Sequence, residues 1–363
     1  MSIRQSVERF GRRLLIAVVS LLFGIRRRAV SIGESPAILV IRLDERVGNM
    51  LLLVPLLDSL RRRFPNARID LLANVKARTL MEGHPALSNL IPFRKRALFA
   101  ADGPLRTPWR LRRSRYDVAI DAANPTDPSA TQSIVARLSG ARHTIGPAHS
   151  TFARLYSAPV EIDDPEAHEI DLRLRLLAPL PGTARSRRVY LGDLPEMRPE
   201  SDVHRVLAKR DGRRLAVLNV GARLSTKRLD ADAYAEIATR LDANGFDVLV
   251  TFGPGERGLA AKVAALNHRV TMAPPTDLIE LATLLRHANA VVTCDTGPMH
   301  VAVAVGTPTC GIFVSTPPTR YGHAEPPHRM IDARERDADA WLGEIDAWIA
   351  DLEPTNSGAT AGV

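Results

Sequence analysis

The sequence predicts an α/β protein with two doubly wound parallel sheets in one chain, and three observations carry that prediction. Near-continuous apolar runs such as "AILVIRL" (37–43) and "RRLAVLNV" (213–220) read as strands covered on both faces, as in a parallel sheet. Each leads through a loop into a helix pattern, and strand and helix alternate along the chain. A length of 363 residues suits two domains of ordinary size better than one.

The first half opens with strand 37–43, the loop "DERVGN" (44–49) and a helix over "MLLLVPLLDSLRRRFPNA" with Pro55 in its first turns. "RIDLLAN" (68–74) and "YDVAIDA" (116–122) are further strands, and "TQSIVARLSGA" after the latter is a helix. A helix over 166–178 closes this domain, residues 37–180. The proline- and charge-rich stretch that follows makes 181–212 the expected linker.

The pattern then restarts, giving a second domain over 213–335. Strand 213–220 leads into "GARLSTKRL" and a helix over 230–245 closed by glycine. Strand 246–253, the turn and helix of "PGERGLAAKVAAL", a short strand at "RVTMAP" and a helix at 277–289 precede "VVTCDTGPMHVAVAVGTPTCGIF" (291–313). A last helix spans 336–352, and 353–363 has the composition of a disordered tail.

Composition narrows the function. The chain is 45% hydrophobic and 25% charged, as in globular proteins, and its two cysteines, Cys294 and Cys310, build no disulfide framework or CxxC metal pattern. The net charge is +9, but residues 1–36 alone hold seven arginines against two glutamates. With aromatics at 5%, this is not a nucleic-acid reader. The basic end flanks "LLIAVVSLLFGI" (14–25), which is shorter than the ~20 residues a spanning helix needs. Arginines on both sides suit a helix lying on an anionic membrane surface, so the arm at 1–36, and residues 1–30 in particular, is expected on the inner face of the cytoplasmic membrane. Docking on the protein's own core is the alternative, and a cleaved signal fits worse because arginines follow the run.

In open α/β sheets, ligands bind outside the carboxyl ends of the strands, which selects loops 44–49, 122–130, 221–228, 253–256 and 295–300. In the last of these, Gly297 suits the N-cap and Pro298 the first position of a helix whose free amides would receive an anion such as a diphosphate. Thr296 adds a hydroxyl, Asp295 either orients loop amides or caps the turn, and His300 either donates to the anion or packs inward. Lys227 and Arg228, beside Ser225 and Thr226, suit a second face of a diphosphate. Glu256 has the chemistry to accept two ribose hydroxyls. Each of these residues alone also fits an ordinary solvated loop. Arg94, Arg96, Arg112, Arg113 and Arg115 suit a phosphorylated saccharide or plain solvent equally well.

"DTGPMHVAVAVGTPTCGIF", "ILVIRLDERVGNMLLLVPLLDSLRRRFPNARIDLL", "GARLSTKRLDADAYAEIATRL" and "VLVTFGPGE" together resemble glycosyltransferase family nine, the heptosyltransferases of lipopolysaccharide synthesis, over roughly residues 37–322. The resemblance implies a GT-B fold, two Rossmann-like domains facing a cleft, with the acceptor bound by the first and a nucleotide-diphosphate sugar by the second. It also implies ADP-heptose as donor, inversion at the anomeric carbon, no metal or other cofactor, and a lipid-linked or envelope saccharide as acceptor. By position, Asp295, Thr296 and Gly297 match the family's diphosphate turn, Lys227 its phosphate-binding cation and Glu256 its ribose-side acid.

One departure matters. The family writes a glycine–aspartate pair in the first loop and uses that aspartate as general base, whereas this chain has Gly48 and Asn49. An amide does not take a proton from a hydroxyl at neutral pH. Asp44 or Glu45, in the same loop behind Arg42, is the expected replacement, with Asn49 positioning the acceptor. The two Asp-x-Asp pairs, at 230–232 and 337–339, fall at helix starts and read as caps rather than metal ligands. Two other readings stay open: a sugar-nucleotide epimerase or hydrolase of the same fold, and a non-catalytic sugar-nucleotide or glycan binder.

Overall fold

The computed structural model describes Gly11, Val18 and residues 27–352, apart from residues 76, 77, 126, 149–151, 181, 183, 197 and 209–211. The arm at 1–30 therefore lies almost wholly outside the described residues, as does the tail. The chain forms two compact units, Met1–Gly192 and Asp193–Val363.

The first unit holds strands β1 (Ala37–Arg42), β2 (Arg68–Asn74), β3 (Asn89–Phe93), β4 (Val118–Asp121), β5 (His143–Pro147) and β6 (Ala158–Val160). They form one sheet in the order β3-β2-β1-β4-β5-β6, and each neighbouring pair is parallel. Ile38, Leu39, Val40 and Ile41 are wholly buried, which is why β1 is apolar without alternation. The helices are α1 (Val47–Leu51), α2 (Val54–Arg63), α3 (Thr107–Arg113), α4 (Ala130–Leu138) and α5 (Glu169–Arg175). The expected single helix after loop 44–49 is two, because the chain breaks at Leu52-Leu53 and restarts with Pro55 in the first turn of α2. Arg61, Arg62 and Arg63 stand in the last turn of α2, where cations suit the helix dipole.

The second unit repeats the topology. Strands β7 (Arg214–Asn219), β8 (Phe246–Thr251), β9 (Val270–Met272), β10 (Ala290–Cys294), β11 (Thr309–Phe313) and β12 (Arg329–Asp332) lie in the order β12-β11-β10-β7-β8-β9, again all parallel. Its helices are α6 (Asp202–Ala208), α7 (Ala231–Ala243), α8 (Arg257–Leu266), α9 (Leu278–His287), α10 (Gly297–Ala304), α11 (Pro318–Tyr321) and α12 (Ala338–Asp351). Asp230 caps α7 by accepting from Ala233 N at 2.9 Å, and Asp277 with Glu280 forms a capping box on α9. Both sheets carry the dinucleotide-fold strand order, with switch points between β1 and β4 and between β7 and β10.

The stretch expected as the linker, 181–212, has two parts. Ser186 N donates to Ser59 Oγ and Tyr190 OH to Asp58, both at 3.0 Å, so its first part is fastened to α2. Its second part holds α6, and the division between the units falls inside it, after Gly192. Trp341, Leu342, Ile345, Trp348 and Ile349 of the C-terminal helix α12 belong to the buried core of the second unit. Among the described residues no helix is long and apolar enough to cross a membrane.

Candidate functional site

The second unit gathers polar groups at its switch point. Asn219, the last residue of β7, donates to Thr293 Oγ1 of β10 at 3.1 Å and accepts from Thr251 Oγ1 of β8 at 3.3 Å. Thr293 Oγ1 in turn lies 3.2 Å from Thr296 Oγ1. This buried row ties three strand ends together before the turn begins, and no local sequence signal marked it. It also sets the start of α10. Thr296, not Gly297, occupies the N-cap, with extended backbone and no hydrogen bond from its side chain to the helix. Its hydroxyl is engaged with Thr293 instead, so the first amides of α10 have no side-chain cap. Pro298 sits in the first turn, where its missing N–H costs nothing. Met299 N donates to Thr296 O at 3.1 Å, which leaves Gly297 N as the first-turn amide at the positive end of the helix with no side-chain cap.

Lys227 follows β7 in a short 3₁₀ turn, Ser225–Lys227, which also carries Thr226. Its Nζ lies 2.5 Å from Asp295 Oδ2 and 5.5 Å from the centre of the Tyr321 ring. Thr316 Oγ1 donates to the same carboxylate oxygen at 2.6 Å. Asp295 therefore neither caps the turn nor faces an anion alone. It is 6% exposed and holds the Lys227 ammonium beside the helix start, while the lysine side chain keeps 25% exposure.

Glu256 is also engaged. Its carboxylate accepts from Ala222 N and Gly253 N, each at 2.8 Å, with Arg228 Nη1 at 3.7 Å, so it pins the loop after β7 to the loop after β8. That approach needs glycine at 221, where a Cβ would meet Glu256 Oε2 at 2.3 Å. Gly221→Ala is expected to push the carboxylate off its amides, lowering stability by about 1–3 kcal/mol and weakening nucleotide binding. Thermal unfolding and nucleotide titration check this. Next to Glu256, an open pocket of ≈ 450 Å³ is lined by Arg257, Met272, Ala273, Pro274 and Pro275 with Asp202, Arg205 and Val206. His300, 4% exposed, packs inward with Nδ1 2.8 Å from Nε2 of His323, so this structure takes the internal option for that residue.

The first unit builds a separate cluster at its own switch point. Arg42, at the end of β1, is 1% exposed and lies beneath the loop rather than on it. Nη1 donates to Ala122 O after β4 at 2.7 Å, and Nη2 donates to Asp44 Oδ2 at 3.2 Å. Burial, with Arg173 nearby, lowers its pKa to about 10, so the guanidinium stays charged at neutral pH. Asp44 Oδ2 also accepts from Asn49 Nδ2 at 2.6 Å, and Oδ1 accepts from Arg46 N at 2.7 Å. The amide at 49 thus touches the carboxylate at 44. Gly48 is buried in α1, and Glu45 is exposed.

Beneath them, Asp121 of β4 is wholly buried and accepts from Tyr156 OH, Ser133 Oγ, Gln132 Nε2 and Ala123 N. Burial raises its pKa against the pull of those donors. Gln132 also binds Ile41 O and Leu43 N, so this hub fixes the ends of β1 and β4 on which Arg42 and Asp44 depend. Among the described residues, no group of three or more His, Cys, Asp or Glu is gathered as a metal site would require.

Comparison with known proteins agrees with this architecture. The model of glycosyltransferase family 9 (heptosyltransferase) matches residues 105–340. Lipopolysaccharide heptosyltransferase 3 of Escherichia coli is 26% identical over 294 residues, 74% of this chain and 81% of that one. The family 9 glycosyltransferase of Veillonella parvula DSM 2008 superposes with a TM-score of 0.72 at 18% identity, covering 90% of this chain and 99% of that one. The E. coli ADP-heptose lps heptosyltransferase II gives 0.68 at 22% identity, covering 87% and 99%. The fold is GT-B, and with the family model spanning well over half of its length, the chain belongs to glycosyltransferase family 9, the heptosyltransferases.

Proposed function

We propose that the protein is an inverting, metal-independent heptosyltransferase that moves heptose from ADP-heptose to a lipopolysaccharide-type or other envelope saccharide. The observation that carries this reading is the uncapped start of α10 with the Lys227 ammonium held beside it by Asp295. Amides and an ammonium together are what a leaving diphosphate needs. The names of the E. coli relatives support heptose, ADP and lipopolysaccharide as the chemistry involved. The pocket between α6 and the turn at Pro274-Pro275 is assigned to the nucleoside, with the Glu256 turn toward its ribose.

In the proposed step, an acceptor hydroxyl gives its proton to Asp44 and its oxygen forms a bond to the anomeric carbon. The bond from that carbon to the donor phosphate oxygen breaks, and its electron pair leaves on ADP. Arg42 and Asn49 hold the Asp44 carboxylate in place, and Asn49 orients the acceptor. Charge developing on the diphosphate meets Lys227 and the amides of Thr296 and Gly297, the role a divalent ion would otherwise fill.

The test is transfer from ADP-heptose to a heptose-free core saccharide in excess EDTA, with NMR of the product anomer. Inverted product at an undiminished rate is expected. Loss of activity in EDTA would sink metal independence. Donor binding with no transfer would favour the non-catalytic reading that Asn49 keeps open, and release of heptose or an isomerised donor without acceptor would favour a hydrolase or epimerase.

A further inference from the structure

We propose that residues 94–113 of the first unit form a docking face for an anionic lipid bilayer. Among the described residues, seven large hydrophobic side chains are exposed, and four of them fall in this stretch: Leu98 at 52%, Phe99 at 77%, Leu105 at 60% and Trp109 at 63%. Such clustering is not the scatter of single apolar residues found on any surface. The same stretch carries seven exposed arginines and lysines, among them Lys95, Arg96 and Arg106, against one carboxylate. That carboxylate, Asp102, is 7% exposed and lies 2.7 Å from Arg94 Nε.

The face is built, not loose. Phe93 at the end of β3 is wholly buried, and Leu111 anchors α3 at 1% exposure. Between them the chain braces itself: Arg94 N donates to Asp102 O at 2.9 Å, Ala97 N to Arg94 O and Ala100 N to Ala97 O at 3.1 Å, and Gly103 N to Ala100 O at 2.9 Å. Gly103 is needed there, since a Cβ would lie 1.8 Å from Ala97 O. The fold holds Leu98, Phe99, Leu105 and Trp109 in water although it supplies the order to bury them.

The mixture selects the partner. Cations without apolar tips would fit any solvated surface, and apolar tips without cations would fit another protein. Leu, Phe and Trp side chains enter the boundary between headgroups and acyl chains while the surrounding arginines and lysines meet lipid phosphates. Nucleic acid explains the charge but gives the aliphatic Leu98 and Leu105 nothing to stack on. The stretch emerges from the carboxyl edge of the sheet that carries Asp44 after β1. If the acceptor is the lipid-linked saccharide proposed above, docking here brings that edge to the membrane. The docking itself does not depend on that reading, nor on residues 1–30.

The chain carries its own reporter. Of its three tryptophans, Trp341 and Trp348 are 4% exposed in the core of the second unit, so Trp109 is the one positioned to meet lipid. Full-length protein is mixed with phosphatidylglycerol–phosphatidylcholine vesicles bearing brominated acyl chains, and with brominated phosphatidylcholine alone. Quenching of Trp109 on the anionic vesicles only is expected. The Leu98→Ser/Phe99→Ser/Leu105→Ser variant, and separately Lys95→Glu/Arg106→Glu, should lose affinity for anionic vesicles by about tenfold or more. Both should keep the wild-type melting temperature and turnover on a soluble acceptor. The proposal is overturned if the protein sediments with anionic vesicles while Trp109 stays unquenched, as docking through residues 1–30 alone would give. Wild-type affinity in both variants overturns it too, as does displacement of the vesicles by an RNA of matched charge. A failure of sugar transfer on the soluble acceptor would instead strike the proposed function and leave the docking face untouched.

Discussion

Lys227→Ala is expected to slow sugar transfer by about 100-fold or more, the usual cost of one well-placed donor to a developing anion. The ammonium lies 2.5 Å from Asp295 and 5.5 Å from the Tyr321 ring centre, and it keeps a quarter of its surface. That combination fixes its position while leaving it open to a ligand. Charge on the diphosphate grows as the sugar leaves, so kcat should fall more than donor affinity. Removing the lysine also leaves Asp295 nearly buried with Thr316 as its remaining side-chain donor, so a fall in thermal stability should accompany the kinetic loss. Steady-state kinetics beside nucleotide titration separate the two effects. An unchanged kcat would remove Lys227 from the mechanism.

Asp44→Asn should reduce turnover by roughly 10²–10⁴-fold, the range attached to a lost general base. The substitution keeps the shape of the side chain and an oxygen for the Arg46 amide but sets an NH2 group against Arg42 Nη2 and Asn49 Nδ2, so thermal unfolding is measured beside turnover to separate a lost base from a disturbed loop. Glu45→Gln should have little effect, because Glu45 is exposed and its neighbour carries the contacts to Arg42 and Asn49. Wild-type rates in both variants would exclude the loop carboxylates as bases. A collapse in Glu45→Gln alone would transfer the role to Glu45.

The parts legible in the sequence were those that local rules govern. β1, β7 and β10 read clearly because burial on both faces makes them near-continuously apolar. β3, "NLIPF", did not, because it is a half-buried edge strand containing proline. β5, "HTIGP", hid behind glycine and proline, and its Gly146 is small because the Tyr156 ring lies where a Cβ would be. With them went α3, so the region up to 115 read as loop where the fold supplies ordered structure.

The site divides the same way. Asp44 and Asn49 are five residues apart, and their pairing was within reach of a loop argument. Lys227 and Asp295 are 68 residues apart and meet only because β7 and β10 are sheet neighbours. Glu256 met backbone amides on two loops, and His300 met His323, both contacts that depend on the completed fold. Asp121 gave no signal at all, since a carboxylate at a strand end is unremarkable until Tyr156, Ser133 and Gln132 close around it.

The most direct measurement is a crystal structure of the protein with ADP bound in the absence of divalent ions. The diphosphate is expected against the amides at Thr296 and Gly297, with Lys227 Nζ within hydrogen-bonding distance of a phosphate oxygen. Nucleotide bound elsewhere, with that corner taken by the protein's own side chains, would contradict the account.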